Sequence, residues 1–262
     1  MSDIIRIFKR YINQVLSRHG TVQSEIPSKK RQNVVLERPS YFNRHEDRDF
    51  IVLGTGATLN EYGEKIKALI QDQNLIIIGV NSISSFIAPD YHGIINRTRL
   101  IQYGQTIDKN KSRALLSVYH TDALIDEYCQ AEHDLIMWRD TGESQQCDID
   151  SKGIITHHGG SATLMVMVAY VMGAKQIYVA GTDGYIDPSS DYHSIHYTDT
   201  PYKDNLNKEE LESKARYWFT DVQPQAFDTI KLWSKKNNRR PFLMITPTQY
   251  QQHYAPKILH NY

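Results

Sequence analysis

The stretch HHGGSATLMVMVAYVMGAKQIYVAGTDGY, residues 157–185, decides the fold of this 262-residue chain. A glycine-containing loop leads into a long apolar run, and a second apolar run ends in a polar loop. The pattern predicts a buried helix over 162–172 and a buried strand over 176–180. One polar loop therefore precedes a helix and another follows a strand, which are the places where ligands bind in an open α/β sheet.

Short apolar segments alternate with helical segments on both sides of this stretch. The further predicted strands cover 49–53, 75–80, 91–95, 114–118, 134–138 and 242–246. The further predicted helices cover 59–71, 123–128 and 208–235, with a last one beginning at 249. Because the strands are apolar throughout, both faces of their sheet must be covered. The sequence predicts an α/β fold: a Rossmann-like, mostly parallel sheet with helices on both faces.

The bulk composition excludes several classes of protein. Lys+Arg and Asp+Glu both number 30, so the chain has no net charge and gives no reason to expect a nucleic-acid partner. Cys129 and Cys147 have no zinc-site spacing and are too few for a disulfide framework, which favours a reducing, cytoplasmic compartment. The sequence contains no apolar run of about 20 residues that would cross a membrane.

The N-terminal part is predicted to differ from the rest. Residues 3–18 are predicted to form a basic amphipathic helix, because apolar positions recur at helical spacing and basic residues occupy many of the other positions. One interpretation is peripheral attachment to an anionic inner membrane face. The other is docking on the chain's own domain or on a second subunit of a homo-oligomer. Residues 19–47 are predicted to be a linker or arm, and the globular domain to begin near Arg48.

Three polar loops carry the candidate chemistry. The first, GTGATL over 54–59, turns sharply between a strand and a helix whose free N–H groups suit a phosphate, although a plain turn explains it equally. The second, THHGGS over 156–161, places Ser161 as the predicted N-cap of the central helix. In the third, GTDGY over 181–185, Asp183 would bind a hydroxyl, hold a metal or cap the turn.

Two further features lie beside these loops. Asn81 and Asn96 each follow a predicted strand, where asparagine either reads a base or sugar edge or simply makes a turn. Residues 187–202 are predicted to form a long polar loop of the kind that often covers a site.

The order of these motifs resembles the bacterial sialyltransferases of the Campylobacter and Haemophilus lipooligosaccharide type. It is also similar to the wider group that contains motility-associated flagellin glycosyltransferases and an archaeal 6-hydroxymethylpterin pyrophosphokinase. The matching elements fall in order between about 48 and 256: residues 54–59, Asn81, Asn96, Gly160, Ser161, residues 172–183, Tyr185, Tyr192 and residues 246–249. The resemblance implies a GT-A-like single nucleotide-binding domain over 48–262, preceded by the arm over 1–47.

The resemblance also implies roles for individual residues. The implied donor-binding set is Gly54, Thr55, Gly56, Asn81, Asn96, His158, Gly160, Ser161, Thr182 and Asp183. Tyr185 and Tyr192 are implied to stabilise the departing phosphate without a metal.

Three positions depart from the family's pattern. Thr55 stands where the family has asparagine, and His158 stands where it has arginine. The segment YWFTDV, residues 217–222, contains no histidine where the family has its general base. Asp221, His193 and His196 are the candidate replacements.

Three hypotheses on function result from these patterns. The first is a glycosyltransferase that moves a CMP-linked, sialic-acid-like sugar onto a cell-surface glycan and needs no cofactor. The second is a pyrophosphokinase that uses ATP and Mg²⁺, with Asp183 as a metal ligand. The third is a nucleotide-binding module that has lost catalysis.

Overall fold

The computed structural model describes residues 35–141, 146–157, 160–184 and 218–262. These residues contain two β-sheets. The strands, in chain order, are β1 (Asp49–Leu53), β2 (Ile76–Val80), β3 (Tyr91–Ile94), β4 (Arg113–Ser117), β5 (His133–Ile136), β6 (Trp138–Arg139), β7 (Cys147–Asp150), β8 (Gly153–Thr156), β9 (Gln176–Ala180) and β10 (Leu243–Met244). The large sheet has seven strands in the order β10–β9–β1–β2–β3–β4–β5, and every neighbouring pair is parallel. A small sheet has the order β6–β8–β7.

Helices cover both faces of the large sheet. They are α1 (Leu59–Gln73), α2 (Arg97–Tyr103), α3 (Asp122–Tyr128), α4 (Ser161–Val171), α5 (Gln223–Lys236) and α6 (Lys257–His260). In β1, Phe50 and Val52 pack in the cluster that contains α4 and α5, while Ile51 and Leu53 pack with α1 and α6. Successive strand residues point to opposite faces, so a strand covered on both sides must be apolar throughout. The predicted Rossmann-like α/β fold is confirmed.

Helix α4 is the centre of the core. All of its residues except Ser161 are buried, as expected for a helix that is apolar on every side. Its last carbonyl groups accept hydrogen bonds from the segment before β1, including 2.9 Å from Asn43 N to Val171 O and 3.0 Å from His45 N to Met172 O. Since that segment lies at the amino edge of the sheet, the first turn of α4 lies at the carboxyl edge. Packing therefore begins upstream of β1, where Tyr41 is fully buried.

A charged cluster connects this upstream segment to strands β4 and β5 of the large sheet. The buried Asp134 carboxylate on β5 accepts hydrogen bonds from Ser40 Oγ at 2.6 Å, Arg44 Nη1 at 2.6 Å and Arg113 Nε at 2.7 Å. Burial by itself raises the pKa of Asp134, but the hydrogen bonds from Arg44, Arg113 and Ser40 outweigh it and lower the pKa to about 2.

Asp134→Asn is expected to lower the free energy of unfolding by about 2 kcal/mol at pH 7. A carboxyl with a lowered folded-state pKa stabilises the fold above its unfolded pKa, and this contribution is lost as pH falls through about 2. The difference between variant and wild type, measured by urea denaturation, should therefore shrink between pH 4 and pH 2. Glu132→Gln is the control, because Glu132 also pairs with Arg113 but its side chain is 83% exposed. An equal loss in both variants would contradict a special role for Asp134.

Several predicted elements differ from the structure. The strand predicted over 134–138 divides at Met137, where the chain leaves the large sheet and enters the small one. The helix predicted from residue 249 begins instead as a single 3₁₀ turn, Gln251–His253. Helix α2 and strands β7 and β8 were not predicted. The predicted helix over 3–18 and the arm up to residue 34 lie outside the described residues. Within the described part of the chain, no helix is long and apolar enough to span a membrane.

Candidate functional site

The connections from β1 and β9 leave in opposite directions. The chain runs from β1 through α1 to β2 on one side, and from β9 towards β10 on the other. Adjacent strands whose connections diverge form a topological switch point, and ligands of open α/β sheets bind in the crevice outside the carboxyl ends there. The first and third polar loops follow these two strands, so the fold brings them together.

The glycines of the first loop allow the two loops to touch. Gly54 N donates to Ala180 O at 2.9 Å and Gly56 N donates to Gly181 O at 2.7 Å. A Cβ atom at Gly54 would lie 2.2 Å from the Gly181 carbonyl oxygen. Gly181 itself has a φ of +63°, a left-handed conformation that favours glycine. These glycines therefore have a packing role, independent of any ligand.

Asp183 joins the third loop to the start of α1. Its carboxylate accepts hydrogen bonds from Thr58 N at 2.8 Å and from Thr58 Oγ1 at 2.5 Å. Thr58 is the N-cap residue of α1 and its own side chain does not cap the helix, so Asp183 supplies the capping acceptor from another loop. A Cβ atom at Gly56 would lie 2.5 Å from the Asp183 carboxyl carbon, which explains that glycine. Of the three roles predicted for Asp183, its contacts are those of a cap.

The environment of Asp183 destabilises the charged form of its carboxyl group. Burial raises the pKa of the carboxyl to about 6, and the two hydrogen bonds from Thr58 offset only part of this effect. No group of three or more His, Cys, Asp or Glu side chains that could hold a metal ion is present among the described residues.

Three buried oxygen atoms flank the switch point: Asn81 Oδ1, Ser82 Oγ and Thr182 Oγ1. None of the three has a hydrogen-bond partner within the described residues. Asn81 and Ser82 follow β2, and Thr182 follows β9. Since β1 lies between those strands, the two strand ends are about 10 Å apart. Buried polar atoms nearly always have partners, so unpartnered oxygens after the two strands that flank β1 indicate a place for a polar ligand.

His92 holds Asn81 in position, and sequence analysis missed it. The buried imidazole lies 2.5 Å through Nε2 from Asn81 O and 3.2 Å through Nδ1 from Ser84 Oγ. Burial lowers the pKa of His92 to about 4, more than the hydrogen bond to Asn81 raises it, so the ring is neutral and Nε2–H donates to the carbonyl. Asn81 has a φ of +53°, an uncommon backbone conformation that is held by the hydrogen bond from His92 to the Asn81 carbonyl group. The only signal in the sequence is a histidine inside an apolar strand.

Asn96 has a different environment from Asn81. Its Oδ1 accepts hydrogen bonds from Thr98 N at 2.8 Å and Arg99 N at 3.3 Å, so it is the N-cap of α2. Of the two interpretations of Asn96, these contacts match the turn role. The predicted donor contact of Asn96 stays a prediction.

The first turn of α4 faces the carboxyl edge, and its N-cap residue makes no side-chain capping hydrogen bond. Ser161 was predicted as the N-cap, which is wrong: Gly160 occupies that position and Ser161 is the first helical residue. Gly160 O accepts hydrogen bonds from Leu164 N and from Thr163 Oγ1, both at 2.9 Å. Because glycine offers no side-chain acceptor, the first N–H groups of α4 suit an anionic ligand.

Asp221 lies on an exposed turn that is connected through hydrogen bonds to the loop after β9, at the carboxyl edge of the large sheet. It belongs to one turn of π-helix, Trp218–Val222, and accepts a hydrogen bond from Thr220 Oγ1 at 3.1 Å. Gln249 connects this turn to the third loop: its side chain donates to Phe219 O, and its backbone N donates to Asp183 O at 2.9 Å. The other predicted site residues, Tyr185, Tyr192, His158, His193 and His196, lie outside the described residues.

Three kinds of comparison with known proteins give the following similarities. No family model and no curated protein sequence matches the chain. Among solved structures it is similar to the sialyltransferase CstII from Campylobacter jejuni, determined in complex with the substrate analogue CMP-3FNeuAc. That match has 14% identity and a TM-score of 0.45, and it covers 79% of this chain and 85% of the other.

A second similar structure is the MAf glycosyltransferase from Magnetospirillum magneticum AMB-1. That match has 17% identity and a TM-score of 0.40, and it covers 64% of this chain but only 28% of the other. Both structures are glycosyltransferases, and the similarity is one of fold. One of them is a bacterial sialyltransferase, the family that the sequence motifs resemble.

Proposed function

We propose that the protein is a glycosyltransferase that moves a CMP-linked, sialic-acid-like sugar onto a cell-surface glycan. The observation that carries the proposal is the set of unpartnered buried oxygens, Asn81 Oδ1, Ser82 Oγ and Thr182 Oγ1, on both sides of the switch point. Each can accept a hydrogen bond, and a nucleoside offers ribose hydroxyls and an exocyclic amine as donors. The choice of CMP comes from the resemblance of the motifs.

In this proposal the phosphate lies at the first turn of α4. A departing nucleotide gains negative charge in the transition state, and the N–H groups after Gly160 stabilise that charge without moving. Tyr185 and Tyr192 add hydroxyl donors, and no metal is required. The remaining donor contacts are assigned to Gly54, Thr55, Gly56, Asn96, His158, Ser161 and Asp183. The basic segment 3–18 brings the enzyme to the anionic inner face of the membrane, near its glycan acceptor.

CMP is expected to raise the melting temperature of the full chain in the presence of EDTA. A ligand at 100 times its Kd stabilises a fold by about 2.7 kcal/mol, which corresponds to roughly 5–10 °C for a domain of this size. The measurement is a thermal-shift series with CMP, CMP-N-acetylneuraminate and ATP, each with and without Mg²⁺. Asn81→Ala should reduce the CMP shift, whereas Asn110→Ala, on an exposed turn, should not.

The other outcomes are informative as well. Stabilisation by ATP with Mg²⁺ alone would favour the pyrophosphokinase hypothesis over the transferase. If no nucleotide changed the melting temperature, the proposal of a nucleotide-dependent enzyme would be wrong.

A further inference from the structure

A histidine–aspartate pair lies shortly before α4 in the chain, and none of the roles assigned above uses it. His157 Nδ1 is 3.1 Å from Asp140 Oδ1. Asp140 is buried, with 8% of its surface exposed, while His157 is exposed. An imidazole held on one nitrogen by a buried carboxylate has its other nitrogen directed away from that carboxylate. This is the arrangement by which enzymes orient a general base.

The small sheet fixes where the pair lies. Strands β6 and β8 are parallel neighbours, with Trp138 opposite Ile154 and Arg139 opposite Ile155. Asp140 follows β6 and His157 follows β8, so the two side chains come from adjacent strand ends.

The small sheet is itself attached to the carboxyl edge of the large one. Only Met137 separates β5 from β6. Trp138 Nε1 donates to Ser117 Oγ at 3.0 Å, and Tyr119 OH donates to Trp138 O at 3.0 Å. Ser117 is the last residue of β4, so these bonds hold β6 against the carboxyl end of that strand.

The chain itself keeps His157 close to the proposed phosphate position. Gly160, the N-cap of α4, is three residues further on. Three extended residues span at most about 11 Å, so the His157 backbone lies within about 11 Å of the helix N-terminus. Asp221, in contrast, lies on an exposed turn, and its hydrogen bond with the adjacent Thr220 does not orient it relative to the sheet.

We propose that His157 is the general base of the transfer reaction, with Asp140 as its positioning residue; this rests on the proposed function. Asp140 accepts the Nδ1–H hydrogen bond, so Nε2 carries the lone pair. The acceptor hydroxyl oxygen attacks the anomeric carbon of the donor sugar while its proton moves to Nε2. The bond between that carbon and the phosphate oxygen breaks, and its electron pair leaves on CMP. His157 then releases the proton to solvent.

The test uses the full chain and measures CMP release from CMP-N-acetylneuraminate, with water and then with added azide as the nucleophile. Azide is already an anion and needs no base. His157→Gln should slow release to water at least 100-fold, as expected for loss of a general base, while azide restores it. Asp140→Asn should slow release to water at least 10-fold, with the same azide rescue. Asp126→Asn, at an exposed position of α3, is the control and should behave as wild type, and Asp221→Asn tests the alternative base.

Each alternative result has a distinct meaning. Wild-type release by His157→Gln would overturn the proposal. So would loss of both the water and azide reactions in a variant that still gives the wild-type thermal shift with CMP, because that result indicates a structural role. Azide-rescued loss in Asp221→Asn alone would make Asp221 the base instead. If wild-type protein neither bound CMP nor released it from the donor, the proposed function itself would fail, and the assignment of the base with it.

Discussion

Gly54→Ala is expected to lower the free energy of unfolding by about 3 kcal/mol and to abolish stabilisation by CMP. The added Cβ atom would lie 2.2 Å from Gly181 O and 2.8 Å from Thr182 Oγ1. A backbone carbonyl next to the last residue of a central strand cannot turn away as the end of a flexible side chain can. The loops after β1 and β9 must therefore separate, which displaces Thr182 and opens the crevice at the switch point.

Urea denaturation and the CMP thermal shift would measure the two effects. Gly63→Ala is the matched control, because Gly63 lies inside α1 and its Cβ atom would meet only the Phe86 ring, at 3.0 Å. Alanine also favours a helix over glycine by up to about 1 kcal/mol, so this variant should stay close to wild type in stability. Equal stability of Gly54→Ala and Gly63→Ala would show that the loops tolerate separation.

This contact also explains why a glycine-rich loop is an ambiguous signal. The sequence GTGATL suggested close approach to a phosphate. In the structure the glycines instead leave room for the loop after β9: Gly54 faces Gly181, and Gly56 faces the Asp183 carboxylate. Both roles need a residue without a side chain, and the sequence cannot distinguish them. Only the pairing of β1 with β9, across more than 120 residues of chain, reveals the packing role.

The large sheet was predictable because its signal is local. Strands β1, β2 and β9 are buried on both faces, so each appears as an unbroken apolar run, and α4 is apolar on every side for the same reason. The small sheet was not predictable. Its strands have two to four residues, too short for any periodicity to appear, and β7 reads CDID with acidic residues on its exposed side.

The candidate site was predictable in location but not in detail. Asn81 and Asn96 both follow strands, yet one has an unpartnered buried Oδ1 while the other caps a helix. The difference lies in the next element of the chain, because α2 begins directly after Asn96, whereas only a short 3₁₀ turn comes after Asn81. The His157–Asp140 pair depends on the pairing of β6 with β8, which no local pattern indicates.

Asp183→Asn is expected to remove a pH dependence of about 3 kcal/mol from the free energy of unfolding. The folded-state pKa of Asp183 is raised to about 6 from 3.8. A group of this kind stabilises the fold fully below its unfolded pKa, and the contribution is lost as pH rises through about 6. The stability of the variant relative to wild type should therefore increase between pH 4 and pH 7.

The difference between the two proteins is the quantity to measure, because other groups titrate in the same range. Burial lowers the pKa of His92 and of His120 to about 4, which destabilises both proteins as pH falls below 6.5. The amide of the variant keeps the size of the carboxylate, and its oxygen still accepts the Thr58 N–H bond, so the contact between the third loop and α1 should persist. Loss of an ATP shift that requires Mg²⁺ would instead make Asp183 a metal ligand and favour the pyrophosphokinase. If the difference in free energy of unfolding between the variant and wild type did not change with pH, the Asp183 carboxylate would be hydrated. In that case Asp183 would cap α1 without being buried.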